Sequence, residues 1–186
     1  MQAIVSCGQE VVVTFLMISG FLCFLSINRK NSISWRGFVK TRFKKIYPLY
    51  FIALLVSVSV AWIITGAVTQ HDVITFIGNL LCLQDNSTKP GLWFDTAGGN
   101  YALWYMSYQW WDYIILIFLV RFIPDAVKRR NISFLICFAA MLSYSFFPNH
   151  LSIIIWYYWI FELGCFVAMV HFEVEKFRWE VIGETT

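Results

Sequence analysis

SWRGFVKTRFKKIYPLYFIALLVSVSVAWIITGAV, residues 34–68, sets five cations and no acid in its first twelve positions and then turns to almost pure hydrocarbon. A bilayer core is spanned by about 20 apolar helical residues, and residues 49–68 fit that length. Short loops rich in Lys and Arg stay cytoplasmic, so the basic run both orients the chain and marks its inner face. Composition agrees: of 186 residues, 59% are apolar, 19% aromatic and 13% charged, the charged share being roughly half the ~25% usual in soluble domains. Seven of the fourteen Lys and Arg lie between Arg29 and Lys45. The net charge of +3 is therefore a matter of topology, and nucleic acid is not an expected partner.

Working outward, the sequence predicts an all-α, polytopic transmembrane bundle in one domain over 1–186, with spans at about 11–27, 49–68, 101–123, 132–147 and 151–170. Residues 73–83 are apolar but too short to span, and are read as a re-entrant or interfacial helix. The basic loop 28–48 and a second cluster, Arg121 with Lys128, Arg129 and Arg130, lie inside. Residues 69–100 carry Asp72, Asp85 and Asp95 against a single Lys89 and lie outside, as does the turn at Pro148-Asn149-His150. The five cysteines form no CxxC pair and read as packed thiols, with no metal site. The first span must enter from outside with ten residues before it: either that short tail is translocated, or a further helix precedes it.

Three stretches together resemble one family. VVVTFLMISGFL, then FVKTRFKKIYPLYFIALL, then ALWYMSYQWWDYIILIFLV resemble the integral membrane acyltransferase family 3, O-acyltransferases that modify cell-surface polysaccharides and related glycans. The resemblance covers about residues 8–170, and FELGCFVA, with Phe161, Gly164 and Ala168, adds a looser match. It implies an acyl group, acetyl in the usual case, moved from cytoplasmic acyl-CoA to a sugar hydroxyl of an extracytoplasmic glycan or lipid-linked saccharide. No bound cofactor is implied, and acetyl-CoA or another acyl-CoA is a donor substrate. The implied location is the cell inner (plasma) membrane.

Family residues carry over position by position. The basic pair before Ile-Tyr-Pro maps onto Arg42 and Lys45, with Lys44 alongside, as donor contacts; cations there can hold phosphates. A helix entered at Pro48 would add free backbone N–H groups. The same run also fits a purely topogenic loop, or one held by anionic lipid. Trp104, Ser107 and Tyr113 match the third motif, while Gln109 stands where the family has Glu, which gives an acceptor-side set that can hydrogen-bond a sugar. The aromatics from Tyr101 to Trp111 fit either an interfacial belt or a sugar-stacking platform.

The expected general base, a His about ten residues after an Arg in a helix before the SGFL run, has no counterpart in this sequence. The pattern is that of a partial member, without that helix and the C-terminal ones. Asp112, Glu162 and His71 are the remaining catalytic candidates. Asp112 lies about 300° round a helix from Gln109; Glu162 is an ionisable group inside a span; His71 adjoins Asp72, as a base beside its orienting carboxylate or as a plain surface pair. Two functions stay open: a membrane acyltransferase, or a non-catalytic truncated relative or accessory or transport subunit. Either way, polar side chains in five spans call for further helices, the chain's own or another chain's.

Overall fold

The computed structural model describes the backbone of residues 2–28, 34–67, 69–86 and 88–183, and the side chains of 10–27, 34–67, 69–86 and 88–172. Six α-helices are found among the described residues: α1 (Gln2–Asn28), α2 (Trp35–Thr65), α3 (Gln70–Leu80), α4 (Trp104–Phe122), α5 (Ala126–Phe146) and α6 (His150–Gly183). The segment between α3 and α4 holds a two-residue parallel pair, β1 (Gln84–Asp85) with β2 (Phe94–Asp95). Two 3₁₀ turns, Ala97–Gly99 and Tyr101–Leu103, follow. The all-α expectation holds. By length and composition, Glu10–Ile27 in α1, all of α2, and His150–Phe172 in α6 can cross a membrane. α4 and α5 have 19 and 21 residues but are more polar: α4 buries Ser107, Gln109 and Asp112, and α5 opens on three consecutive cations.

One helix boundary corrects the sequence reading, and two helices run on beyond their expected spans. α1 begins at Gln2, so the ten residues before the expected span are mostly helical. α6 continues to Gly183, beyond the expected span at about 151–170. α2 begins at Trp35, with Pro48 in its interior. The helix mouth expected at Pro48 does not exist; its free N–H groups lie instead near Ser34, whose hydroxyl accepts from the Gly37 N–H at 3.4 Å. Residues 35–47 include the strong helix formers Arg36, Lys40, Arg42, Lys44 and Lys45 and no breaker except Gly37, and a proline can be carried inside a membrane helix when neighbours satisfy the backbone.

The chain divides into two compact units, residues 1–33 with 159–186, and residues 34–158. In the first, Leu16, Ser19, Gly20, Cys23 and Phe24 are buried on α1, the i, i+3, i+4, i+7, i+8 spacing of one helix face. Phe161, Gly164, Cys165 and Ala168 form the matching face of α6. A side chain at Gly20 would run into the Phe161 carbonyl, and one at Gly164 into the Met17 carbonyl. Small residues that let backbones approach are a usual basis of helix association in a bilayer. Gly20 belongs to the SGFL motif and Gly164 to FELG, so two motifs 144 positions apart in sequence meet in one contact. The Cys165 thiol also donates to the Gly20 carbonyl at 3.3 Å.

In the second unit α2 and α4 run antiparallel: Arg42 lies by Tyr113, Phe43 by Trp110, and Ser57 by Asn100. The basic turn of α2 and the Arg121 end of α4, with the α5 cations just beyond, therefore share one end. Tyr50, Leu54, Cys82, Ala97 and Leu103 form the core between α2, α3 and the connecting segment. The two tyrosines of the YPLY motif reach across to α3, Tyr50 donating to the Asn79 carbonyl at 2.6 Å and Tyr47 to the Leu80 carbonyl at 2.8 Å. Those are last-turn carbonyls, which a helix leaves short of donors. Asn79 is fully buried; it donates to the Thr75 and Asp95 carbonyls and accepts from the Ala97 N–H. Gly98 holds a φ of +68°, and a side chain there would meet the Ser57 backbone, so glycine is what lets the 3₁₀ turn lie on α2.

α3 starts with a capping box: Thr69 accepts from the Asp72 N–H, and the Asp72 carboxylate accepts from the Thr69 N–H at 2.8 Å and hydroxyl at 2.7 Å. Those hydrogen bonds hold the Asp72 carboxyl below its ordinary value of 3.8. A depressed carboxylate contributes stability above its unfolded pKa and loses it as pH falls through the folded one. We therefore expect α3 to fray at its N-terminus below about pH 4, and Asp72→Asn to flatten that dependence. Amide exchange at residues 70–73 against pH checks it, and identical profiles for the two proteins would refute the cap.

Candidate functional site

The basic run of α2 places its cations unequally. Lys44 and Lys45 are exposed, whereas Arg42 is half-buried. The Arg42 guanidinium stacks over two rings, Phe38 at 5.3 Å and Tyr113 at 5.0 Å to the centroids. Phe38 lies one helical turn before Arg42 on α2, and Tyr113 comes from α4, so both helices fix the side chain. The Tyr113 hydroxyl in turn accepts from the Gln109 amide at 2.9 Å. Residues from two separate motifs, Arg42 from the second and Gln109 and Tyr113 from the third, are thus one cluster. Arg42 stacked in this way rests the planar faces of its guanidinium on aromatics from both helices.

Trp104 and Ser107, the other two acceptor-side candidates, lie elsewhere. Ser107 is fully buried, donates to the Gln84 carbonyl at 2.7 Å and lies 2.9 Å from the Trp104 carbonyl. Trp104 is one wall of a cage around Lys89. The Lys89 ammonium sits 4.1 Å from the Trp104 ring centroid and 4.7 Å from those of Tyr108 and Tyr157. It donates to Asp85 at 2.9 Å and to the Tyr108 hydroxyl at 3.1 Å, and that hydroxyl donates to the other Asp85 oxygen. Burial pushes the Lys89 ammonium down from its usual value, and the Asp85 carboxylate opposes the shift. Nearby, burial pushes the Cys82 thiol up to about 12, which makes it a packing group rather than a nucleophile. Cys23, Cys82, Cys137 and Cys165 are all free and buried, as the apolar context of each predicts; Cys7 lies outside the described side chains.

The cage escaped sequence reasoning, which took Asp85 and Lys89 as loop charges. One signal was there: Lys89 is the only cation between residues 69 and 100 and stands four positions after Asp85. His150, read as a turn residue, was also misjudged. It is fully buried and its ring lies against Trp93, with centroids 5.1 Å apart.

The three catalytic candidates fall in three environments. Asp112 is fully buried on α4, and neither carboxylate oxygen has a hydrogen-bond partner among the described residues; a carboxyl so placed is costly without a ligand or a proton. Glu162 is buried on α6 in the first unit. His71 is exposed and lines a cleft of about 470 Å³ with Trp62, Thr75, Asp95 and Thr96. Asp72, which would orient it, is occupied in capping α3.

Compared with known proteins, residues 2–184 match a family model described as an acyltransferase domain. No curated protein and no solved structure matches the chain. The match spans both units and includes the SGFL, YPLY and LWYMS stretches whose residues build the Gly20 contact, the tyrosine clamp and the α4 clusters. The chain is a membrane protein with an acyltransferase-type function, and it belongs to acyltransferase family 3.

Proposed function

We propose that this chain is a multi-pass O-acyltransferase of the inner (plasma) membrane, taking an acyl group, acetyl in the simplest case, from cytoplasmic acyl-CoA to a sugar hydroxyl of an extracytoplasmic glycan. The observation that carries this is Arg42, half-buried between Phe38 and Tyr113, with Lys44 and Lys45 exposed beside it. A topogenic charge needs no such seat, since its work is done by any cation in a short loop. A polyanionic donor benefits from one: Lys44 and Lys45 attract its phosphates, while Arg42, already stacked, loses little freedom on forming directed hydrogen bonds. In the reaction the acceptor hydroxyl oxygen bonds to the thioester carbonyl carbon, the carbon–sulfur bond breaks, and the hydroxyl proton ends on the CoA thiol. Gln109, hydrogen-bonded to the Tyr113 that forms one wall of the Arg42 seat, would bind the acceptor sugar.

The test is acyl-CoA binding to the purified protein in lipid nanodiscs. Arg42→Gln with Lys45→Gln is expected to weaken binding at least tenfold, as loss of one charged hydrogen bond costs about 1.5–3 kcal/mol. Arg36, Lys40 and Lys44 remain, so insertion and orientation hold. Unchanged affinity in a correctly inserted double variant returns the run to a topogenic role.

A further inference from the structure

Trp93 belongs to two features that the donor cluster does not use. It lies against the buried His150 ring, and it forms part of a groove of about 360 Å³ whose walls are apolar throughout. Trp111, Ile115 and Phe118 of α4 line the groove from one side, and Leu151 and Ile154 of α6 from the other. Of the two tryptophans that line it, Trp111 spends its ring N–H on the Cys82 carbonyl at 2.8 Å, and the groove walls expose no polar surface. Nothing in the groove can hydrogen-bond a sugar, so the groove itself accepts a hydrocarbon chain.

The residues bordering it are different. His150 adjoins the groove residue Leu151 and packs on Trp93, and both its ring nitrogens are buried without a partner among the described residues. Buried polar atoms in this condition are costly unless something hydrogen-bonds to them. The local backbone is held firmly: Gly91 packs on the Pro148 carbonyl, and the Tyr144 hydroxyl donates to the Pro90 carbonyl at 3.2 Å. The nearby cation, Lys89, is matched by Asp85, so the border offers uncharged hydrogen bonding rather than a seat for phosphate.

We infer that this groove and its His150 border form a glycolipid site, which takes an apolar chain between α4 and α6 and a hydroxyl-rich head at His150, with Trp93 as the wall shared by both. The inference rests on the acyltransferase reading only for the head's role, as the acceptor presented on a lipid.

An alkyl glycoside with a photoactivatable diazirine in its chain, added to the full chain in phosphatidylcholine nanodiscs, tests the site. We expect labelled peptides to map to residues 111–119 and 151–155. Excess unlabelled alkyl glycoside should suppress the labelling, and free monosaccharide should not. Ile154→Trp, which fills the groove, should reduce labelling at least tenfold while acyl-CoA binding persists as proof of folding. His150→Leu should reduce it about fivefold, the loss of one hydrogen bond. Labelling of the same peptides by a phosphatidylcholine diazirine with equal efficiency would overturn the proposal, as would labelling unchanged in both variants. Acyl-CoA binding without specific labelling removes the glycolipid site and leaves the donor reading intact. Specific labelling without acyl-CoA binding does the reverse.

Discussion

Gly20→Leu, and equally Gly164→Leu, is expected to part α1 from α6 and to be the most damaging single change in the first unit. In each case the added side chain starts inside a backbone carbonyl of the opposite helix, Phe161 for Gly20 and Met17 for Gly164. A crowded side chain can rotate away, but a helix carbonyl cannot, so the helices must separate along their length. Overpacking in an ordinary core costs about 1–3 kcal/mol; here the upper end is the floor, because the Cys165 thiol also loses the Gly20 carbonyl and lipid competes for the opened face. Thermal unfolding of the protein in nanodiscs reads the loss. Cross-linking between cysteines introduced at Met17 and Phe161 reads the separation directly. Gly20→Ala should fall between wild type and Gly20→Leu, and an undiminished cross-link in the leucine variants would contradict the close approach.

Asp85→Asn should unfasten the segment between α3 and α4. The Lys89 side chain is only 16% exposed and Asp85 1%, and removing one member of a buried pair leaves the other charge uncompensated, at a cost of about 3–5 kcal/mol. Asp85 also accepts from Tyr108, so the substitution loosens the top of α4 as well. Lys89→Met is expected to be milder than Asp85→Asn, since a methionine can stay among Trp104, Tyr108 and Tyr157 as an apolar filler. The double variant should be more stable than Asp85→Asn alone, because no charge is then left buried. Limited proteolysis across residues 84–103 together with thermal unfolding separates the cases. Additive losses in the double variant would mean that the two residues act independently.

Much of this was legible in the sequence. Apolar runs and their spacing gave the helices around residues 11–27, 49–65 and 151–170, because a buried or lipid-facing helix needs little beyond length and hydrophobicity. The motif residues were legible as residues, but their partners were not. Nothing local says that Arg42 rests on Tyr113 or that Gly20 meets the Phe161 carbonyl, since those contacts join helices far apart in the chain. The extent of α2 was misread for a physical reason: a proline after a basic run normally marks a helix start, and Pro48 sits in a helix whose flanking tyrosines are tied to α3. Lys89 was misread because loop charges are usually solvated, whereas Trp104, Tyr108 and Tyr157 enclose it.

Pro48 has a mechanical consequence. It carries no N–H, so the Lys44 carbonyl has no helical donor, and α2 lacks one rung just where its basic turn joins its apolar length. Tyr50, beyond the missing rung, is anchored to Asn79, while Arg42 and Lys45 lie before it. Tyr47, just before the proline, is tied to the Leu80 carbonyl as well, so α3 braces α2 from both sides at the one point where its own ladder is open.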